Sequence, residues 1–184
     1  LIELGSGNGQ MIYDMINSFK NFPEFYKSCK FFILEKSPYL KKIQKKKLKK
    51  FNVKWIKNIS ELKNEHNIFI ANEFFDALPF KQFFKINNKW MERFVVVDKN
   101  NNKNFTKIVS NIGKIEKKLR FKISKNQKVI EFSPLALNYL KNISKKIYHK
   151  KGCLLIIDYG YLDDQMKDTM MSIRKHKYTN ILNT

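Results

Sequence analysis

The chain has 184 residues, 43% hydrophobic and 14% aromatic, the length and make-up of one globular domain rather than of a disordered segment. No apolar run approaches the ~20 residues that span a bilayer as a helix, so membrane insertion is not expected. The formal charge of +21 does not by itself call for nucleic acid: 34 of the 37 basic residues are lysine, in a chain also rich in Asn, Ile and Phe, whose codons are A/T-rich. No specific nucleic-acid partner is expected.

In chain order, "LIEL" is a short apolar run ending at glycines, as a buried parallel strand would. Met11, Ile12, Met15, Ile16 and Phe19 then recur at helical spacing. "KFFILE" is a second buried strand, after which Ser37 and Pro38 supply an N-cap and a first-turn proline. The helix they open carries Leu40, Ile43, Leu48 and Phe51 on one face, and the lysines of "KKIQKKKLKK" fill its solvated face. "NVKWIK" is a third strand, "SELKNE" a short helix and "NIFIANE" a fourth strand. Such alternation predicts a parallel α/β sheet.

The pattern then changes. "FKQFFKINNKWMERFVVVD" predicts a hairpin around an Asn-Asn turn, since Asn tolerates φ > 0. "KNNNKN" predicts a loop, "GKIEKKLRF" a short helix and "QKVIEF" a strand. Ser133 and Pro134 open another helix, with Leu137, Leu140, Ile143 and Ile147 on one face. "GCLLIIDYGY" returns to a buried strand. Residues 1–184 thus read as one α/β domain with an insertion at about 80–132. The four-residue first strand, and a last segment, "HKYTNILNT", that closes no element, suggest a fragment truncated at both ends. Cys29 and Cys153 flank apolar runs and read as reduced core thiols of an intracellular protein.

The first strand opens into Glu3-Leu4-Gly5-Ser6-Gly7-Asn8-Gly9. A dinucleotide fingerprint wants a third glycine at position 10, where Gln10 stands, and no G-K-[ST] follows to make a P-loop. A carboxylate beside a strand–glycine–helix turn repels a pyrophosphate but suits a cationic ligand. S-adenosylmethionine, with its amino group and sulfonium, fits that description. Glu35 closes the second strand, where a carboxylate accepts both hydroxyls of a ribose.

"ANEFFDALPFKQF" follows the fourth strand, so Asn72, Glu73 and Asp76 are expected at the same end of the sheet. Carboxylates there could orient a guanidinium or amine and take its proton. Alternatively, Asp76 caps a turn and Glu73 pairs with a surface lysine. Asp158, Tyr159, Gly160 and Tyr161 end the last strand and face the same cleft, or form a plain strand-ending turn. Trp90, Glu92 and Arg93 read as hairpin packing with a salt bridge. His66, His149 and His176 lack metal-ligand spacing, and no metal is expected.

"ELGSGNG", "LEKSP", "ANEFFDALPFKQF", "WMERFV", "EFSP", "IIDYGY" and "TMMSIRKHKY" follow in the order seen in MidA-like class I methyltransferases, which the chain resembles from Leu1 to about Leu182. "NEFFDALP" is the most specific of these elements. The resemblance implies a Rossmann-like sheet and S-adenosyl-L-methionine as cofactor. It assigns Glu3, Gly5, Ser6, Gly7 and Gly9 to the methionine end, Glu35 to the ribose and Asn72 to the cofactor edge. Glu73 and Asp76 take the catalytic positions. The family commonly has Pro where Ser6 stands and often Arg where Asn8 stands, mild changes that keep the loop.

The family includes a mitochondrial arginine methyltransferase that assists assembly of respiratory complex I. The resemblance therefore implies methylation of arginine in a partner protein, a complex I subunit among the candidates, in the mitochondrial matrix or a bacterial cytoplasm. The alternative is a methyltransferase-like assembly factor, a binding module without turnover. Intact Glu3, Glu35, Glu73 and Asp76 favour the enzyme. A nucleic-acid methylase would usually carry an Asn/Asp-Pro-Pro-aromatic tetrad after the fourth strand, which "NEFF" is not.

Overall fold

A computed structural model describes residues 1–148, 150–162, 166–175 and 177–183, the last without its side chain. His149 and His176 therefore lie outside the described residues. The chain divides into two compact units, Leu1–Leu78 with Leu135–Gly160, and Pro79–Pro134 with Tyr161–Thr184. The segment expected as an insertion thus falls in the second unit, together with the last stretch of chain.

The first unit is built on β1 (Ile2–Leu4), β2 (Phe31–Leu34), β3 (Val53–Ile56), β4 (Ile68–Asn72) and β9 (Cys153–Ile157), the four strands between β4 and β9 in the chain belonging to the second unit. All five are parallel, in the order β3-β2-β1-β4-β9. This is the α/β sheet expected from the strand–helix alternation. β1 lies between β2 and β4, with Leu4 opposite both Leu34 and Ala71. The order reverses there, and the C-terminal ends of the strands around such a reversal are where open α/β sheets bind ligands.

Three helices of this unit pack on the sheet, the first and last of them through buried residues on an apolar face and the middle one through the buried Gln44. α1 (Gln10–Phe19) buries Ile12 and Ile16 against Phe31, Ile33, Leu48 and Val53, as their spacing predicts. α3 (Pro38–Lys47) is capped by the Ser37 hydroxyl, which accepts from Leu40 N at 3.3 Å, and Pro38 needs no partner for a missing N–H. α5 (Pro134–Tyr148) departs in detail: its core-facing stripe is Leu135, Tyr139, Ile143 and Ile147, rather than Leu137 and Leu140. Tyr139 wins that position through ring contact with Phe74, their centroids 5.1 Å apart. Each fully buried aliphatic or aromatic side chain of this core contributes roughly 1.5–3 kcal/mol.

Four expectations in this unit are corrected. "SELKNE" is not a helix; a single 3-10 turn spans Ile59–Glu61, closed by Glu61 accepting from the N–H groups of Lys57 and Asn58. A short helix, α2 (Pro23–Ser28), forms where none is expected; it buries no residue and so has no periodic signal. β9 is not buried. It pairs with β4 at the sheet's edge, leaving Leu155, Ile156 and Ile157 exposed. Cys153, at its start, is exposed and not a core thiol, whereas Cys29 is half-buried.

The second unit is an antiparallel sheet of β5 (Lys81–Ile86), β6 (Lys89–Val97), β7 (Lys103–Val109) and β8 (Val129–Phe132), in the order β7-β6-β5-β8. The hairpin turns at Asn87 and Asn88, with φ of 47° and 59°, as the two asparagines predict. β7 is a strand the sequence does not predict, overlapping only the end of the loop expected at 99–104: Lys103–Val109 is mostly exposed and shows no apolar alternation. α4 (Gly113–Leu119) is the expected short helix.

Glu92 pairs with Lys81 at 2.6 Å, and Arg93 donates to Gln82 at 2.9 Å and Asp168 at 2.8 Å. Burial pushes the Asp168 carboxyl up, but Gln82 and Arg93 more than offset this and hold it below its ordinary value.

Candidate active site

The turn after β1 is built by positive φ at Gly5 (67°), Gly7 (51°) and Gly9 (78°), a conformation that costs other residues about 1 kcal/mol or more each. A Cβ on Gly5 would lie 2.8 Å from the Phe74 ring, and one on Gly9 would lie 3.3 Å from Gln44. The space above Gly7 is open: a Cβ there would meet nothing within 4 Å. The loop thus packs closely on its flanks and is free at its centre, where a ligand can approach the backbone.

Glu3 points inward. It is 3% exposed and accepts from the Ser6 hydroxyl. Burial pushes its carboxyl above the ordinary value, and the Ser6 hydroxyl with the nearby Ile12 N–H only partly opposes the shift. A raised carboxyl pKa means that stability is lost as pH rises through the folded value. Glu3→Gln is therefore expected to raise the thermal midpoint at neutral pH. The gain should vanish below pH 4.5, where both states are protonated, and thermal melts across pH check it.

Glu35 stands half-buried at the end of β2. Its Oε1 accepts from Ser37 N at 2.8 Å and its Oε2 from Gln44 Nε2 at 3.0 Å. Each oxygen keeps capacity for a second donor, so the carboxylate can still take two hydroxyls.

Asn72 ends β4, opposite Ile157 of β9, and is exposed. Glu73 follows in a left-handed backbone conformation, φ 46°, its N–H donating to Ile157 O at 2.9 Å. Such conformations in non-glycine residues concentrate at functional sites. The Asp76 N–H donates to Asp158 Oδ2 at 3.3 Å, and Asp158 Oδ1 accepts from Tyr159 N at 2.9 Å. The Glu73 carboxylate near the Tyr159 phenol raises the phenol's pKa. Desolvation first, then the charges of Asp158 and Glu73, push the Asp76 carboxyl up.

Glu73, Asp76 and Asp158 therefore form one acidic cluster where β4 and β9 end, with Tyr159 attached. The sequence alone leaves Asp158 and Tyr159 open between cleft and turn, and pairing of β4 with β9 brings them in. Sequence reasoning misses Gln44, whose only signal is an amide four residues from both Leu40 and Leu48 on an apolar helix face.

These groups fit S-adenosyl-L-methionine by donor chemistry: open glycine backbone, a half-buried carboxylate with spare acceptor capacity, and negative charge for a cationic centre. Among the described residues no group of three His, Cys, Asp or Glu side chains could hold a metal ion.

A family described as "Putative S-adenosyl-L-methionine-dependent methyltransferase" matches residues 1–184. The chain belongs to this methyltransferase family. Among its relatives are the mitochondrial protein arginine methyltransferases NDUFAF7 of Xenopus laevis, 27% identical over 220 residues, and of Homo sapiens, 24% identical over 219. Each alignment takes in 99% of this chain but 47% and 46% of the relative, so the chain spans about half the length of these curated proteins. A likely methyltransferase of Burkholderia thailandensis, crystallised with S-adenosyl-homocysteine, shares the fold, with TM-score 0.68 and 18% identity over 87% of this chain and 41% of that one. S-adenosyl-L-methionine is the cofactor by which the family is described.

Proposed function

We propose that the protein transfers a methyl group from S-adenosyl-L-methionine to an arginine side chain of a partner protein. The observation that carries this reading is the acidic cluster of Glu73, Asp76 and Asp158 at the strand ends beside the glycine turn. The bound cofactor supplies an electrophilic methyl group on a sulfonium. Glu35 accepts the ribose hydroxyls, while Gly5, Gly7 and Gly9 admit the ligand close to the backbone. Asn72 borders the cofactor, and Glu3 with Ser6 fixes the start of α1 beneath it.

Glu73 and Asp76 bind the guanidinium, hold one of its nitrogens in line with the methyl group, and localise its lone pair. Asp76, its carboxyl raised by burial and by two like charges, is the better proton acceptor of the pair. The choice of arginine rests on the NDUFAF7 relatives, which are named protein arginine methyltransferases. Those relatives are also named mitochondrial, and the resemblance read in the sequence extends the proposal to a partner in respiratory complex I assembly, in the mitochondrial matrix or a bacterial cytoplasm. No helix among the described residues is long and apolar enough to cross a membrane.

The test is incubation of the protein with methyl-labelled cofactor and a lysate of its own source, followed by peptide mass spectrometry. Label on arginine is expected. Label confined to another side chain overturns the substrate assignment, and no label with cofactor bound favours the assembly factor without turnover.

A further inference from the structure

Gln44 is completely buried on a helix otherwise crowded with lysines. A buried primary amide is costly unless its donors and acceptor are all met. Here they are. One Nε2 hydrogen goes to Gly7 O at 2.9 Å and the other to Glu35 Oε2 at 3.0 Å, while Oε1 accepts from Trp55 Nε1 at 2.8 Å.

The three partners come from three places that must agree if a nucleoside is to bind. Gly7 is the open centre of the turn after β1, Glu35 ends β2, and Trp55 lies on β3. An apolar residue would fill the same volume without the desolvation cost, so core packing does not account for an amide. The Gln44 stem also packs at the back of Gly9, where even a methyl group would approach it to 3.3 Å. α3 is thus keyed to the glycine turn through the same side chain that holds the carboxylate.

We infer that Gln44 is a positioning residue for the cofactor's ribose: it fixes the Glu35 carboxylate and the Gly7 peptide relative to each other, and Trp55 in turn fixes its amide. The inference rests on the cofactor reading above. With Gln44 removed, Glu35 Oε2 loses a donor and the carboxylate can swing away from the orientation that meets two vicinal hydroxyls. Groups held by such supporting contacts commonly lose one to two orders of magnitude in affinity when the support is removed.

The experiment is a double-mutant cycle read by calorimetry with S-adenosylhomocysteine as the probe, on the wild type, Gln44→Met, Glu35→Ala and the double variant. Gln44→Met is expected to weaken binding about tenfold in the wild-type background and less than about twofold in Glu35→Ala. Gln44→Glu is the second variant: it keeps the acceptor for Trp55 and the side-chain volume, but sets a carboxylate against Glu35. It should weaken binding at least as much, and a buried carboxylate facing Glu35 and the Gly7 oxygen should also lower the thermal midpoint measured with no ligand added. Equal losses from Gln44→Met in both backgrounds would show a merely structural role and overturn the inference. Failure of the wild type to bind the probe would instead overturn the cofactor reading itself.

Discussion

Glu73→Gln and Asp76→Asn, made singly, are each expected to lower methyl transfer by about 10²-fold or more, the range that loss of a general base usually causes. Each exchange keeps the side chain's size and removes a negative charge that would hold a guanidinium in line. Binding of S-adenosylhomocysteine should stay nearly intact, because the ribose carboxylate, Glu35, ends a different strand. The cluster also predicts a pH signature. A base must be deprotonated, so activity should rise with pH through the raised Asp76 pKa. Asp158→Asn removes one of the charges that raise it, and the acidic limb of the pH–rate profile should move to lower pH. Turnover and binding assays on the same variants check this. Unchanged turnover in both carboxylate variants would take the catalytic role from Glu73 and Asp76, whereas a wild type that binds cofactor without turnover would leave the assembly-factor reading ahead.

Gly152→Ala should be among the most destabilising single methyl additions in the first unit. A Cβ there would stand 2.2 Å from the backbone oxygen of Asn67 and 2.9 Å from Ile147 Cγ2. Neither neighbour can give way cheaply. The Asn67 oxygen accepts from Cys153 N at 3.0 Å, which sets β9 beside β4, and Ile147 packs against the core. Overpacking of this kind costs on the order of 2–3 kcal/mol, or a fall of roughly 5–10 °C in thermal midpoint at this chain length. Because β9 carries Asp158 into the acidic cluster, residual folded protein should also lose turnover. Thermal denaturation beside a turnover assay checks both, and a midpoint within about 1 °C of wild type would contradict the close approach.

The parallel sheet was legible because its strands are continuous apolar runs and its helices bury regular faces; Ile12 and Ile16, or Ser37 before Pro38, carry their structure in their spacing. The hairpin was legible for a local reason too, since two asparagines at φ > 0 form a turn without help from elsewhere. Elements that depend on a distant partner were not. β7 exists because β6 presents a ladder to it, and its own residues, Lys103 to Val109, announce nothing. β9 reads as buried from its composition, but burial depends on what lies on each side of a strand, which periodicity does not report. The candidate site divides in the same way. The glycine turn, Glu35 and the Asn72–Asp76 segment are local motifs at strand ends. Asp158 and Tyr159 join them only through the register of β9 on β4, and Gln44 only through three hydrogen bonds to residues far from it in sequence.

Whether Glu35 and the glycine turn hold S-adenosyl-L-methionine is decided by calorimetric titration of the protein with S-adenosylhomocysteine, set beside one with NADH and repeated on Glu35→Ala. Saturable binding of S-adenosylhomocysteine is expected, with none of NADH. Glu35→Ala should lose about 1–3 kcal/mol as charge-assisted hydrogen bonds to the ribose disappear. Preference for NADH, or an affinity for S-adenosylhomocysteine that does not depend on Glu35, would contradict the assignment.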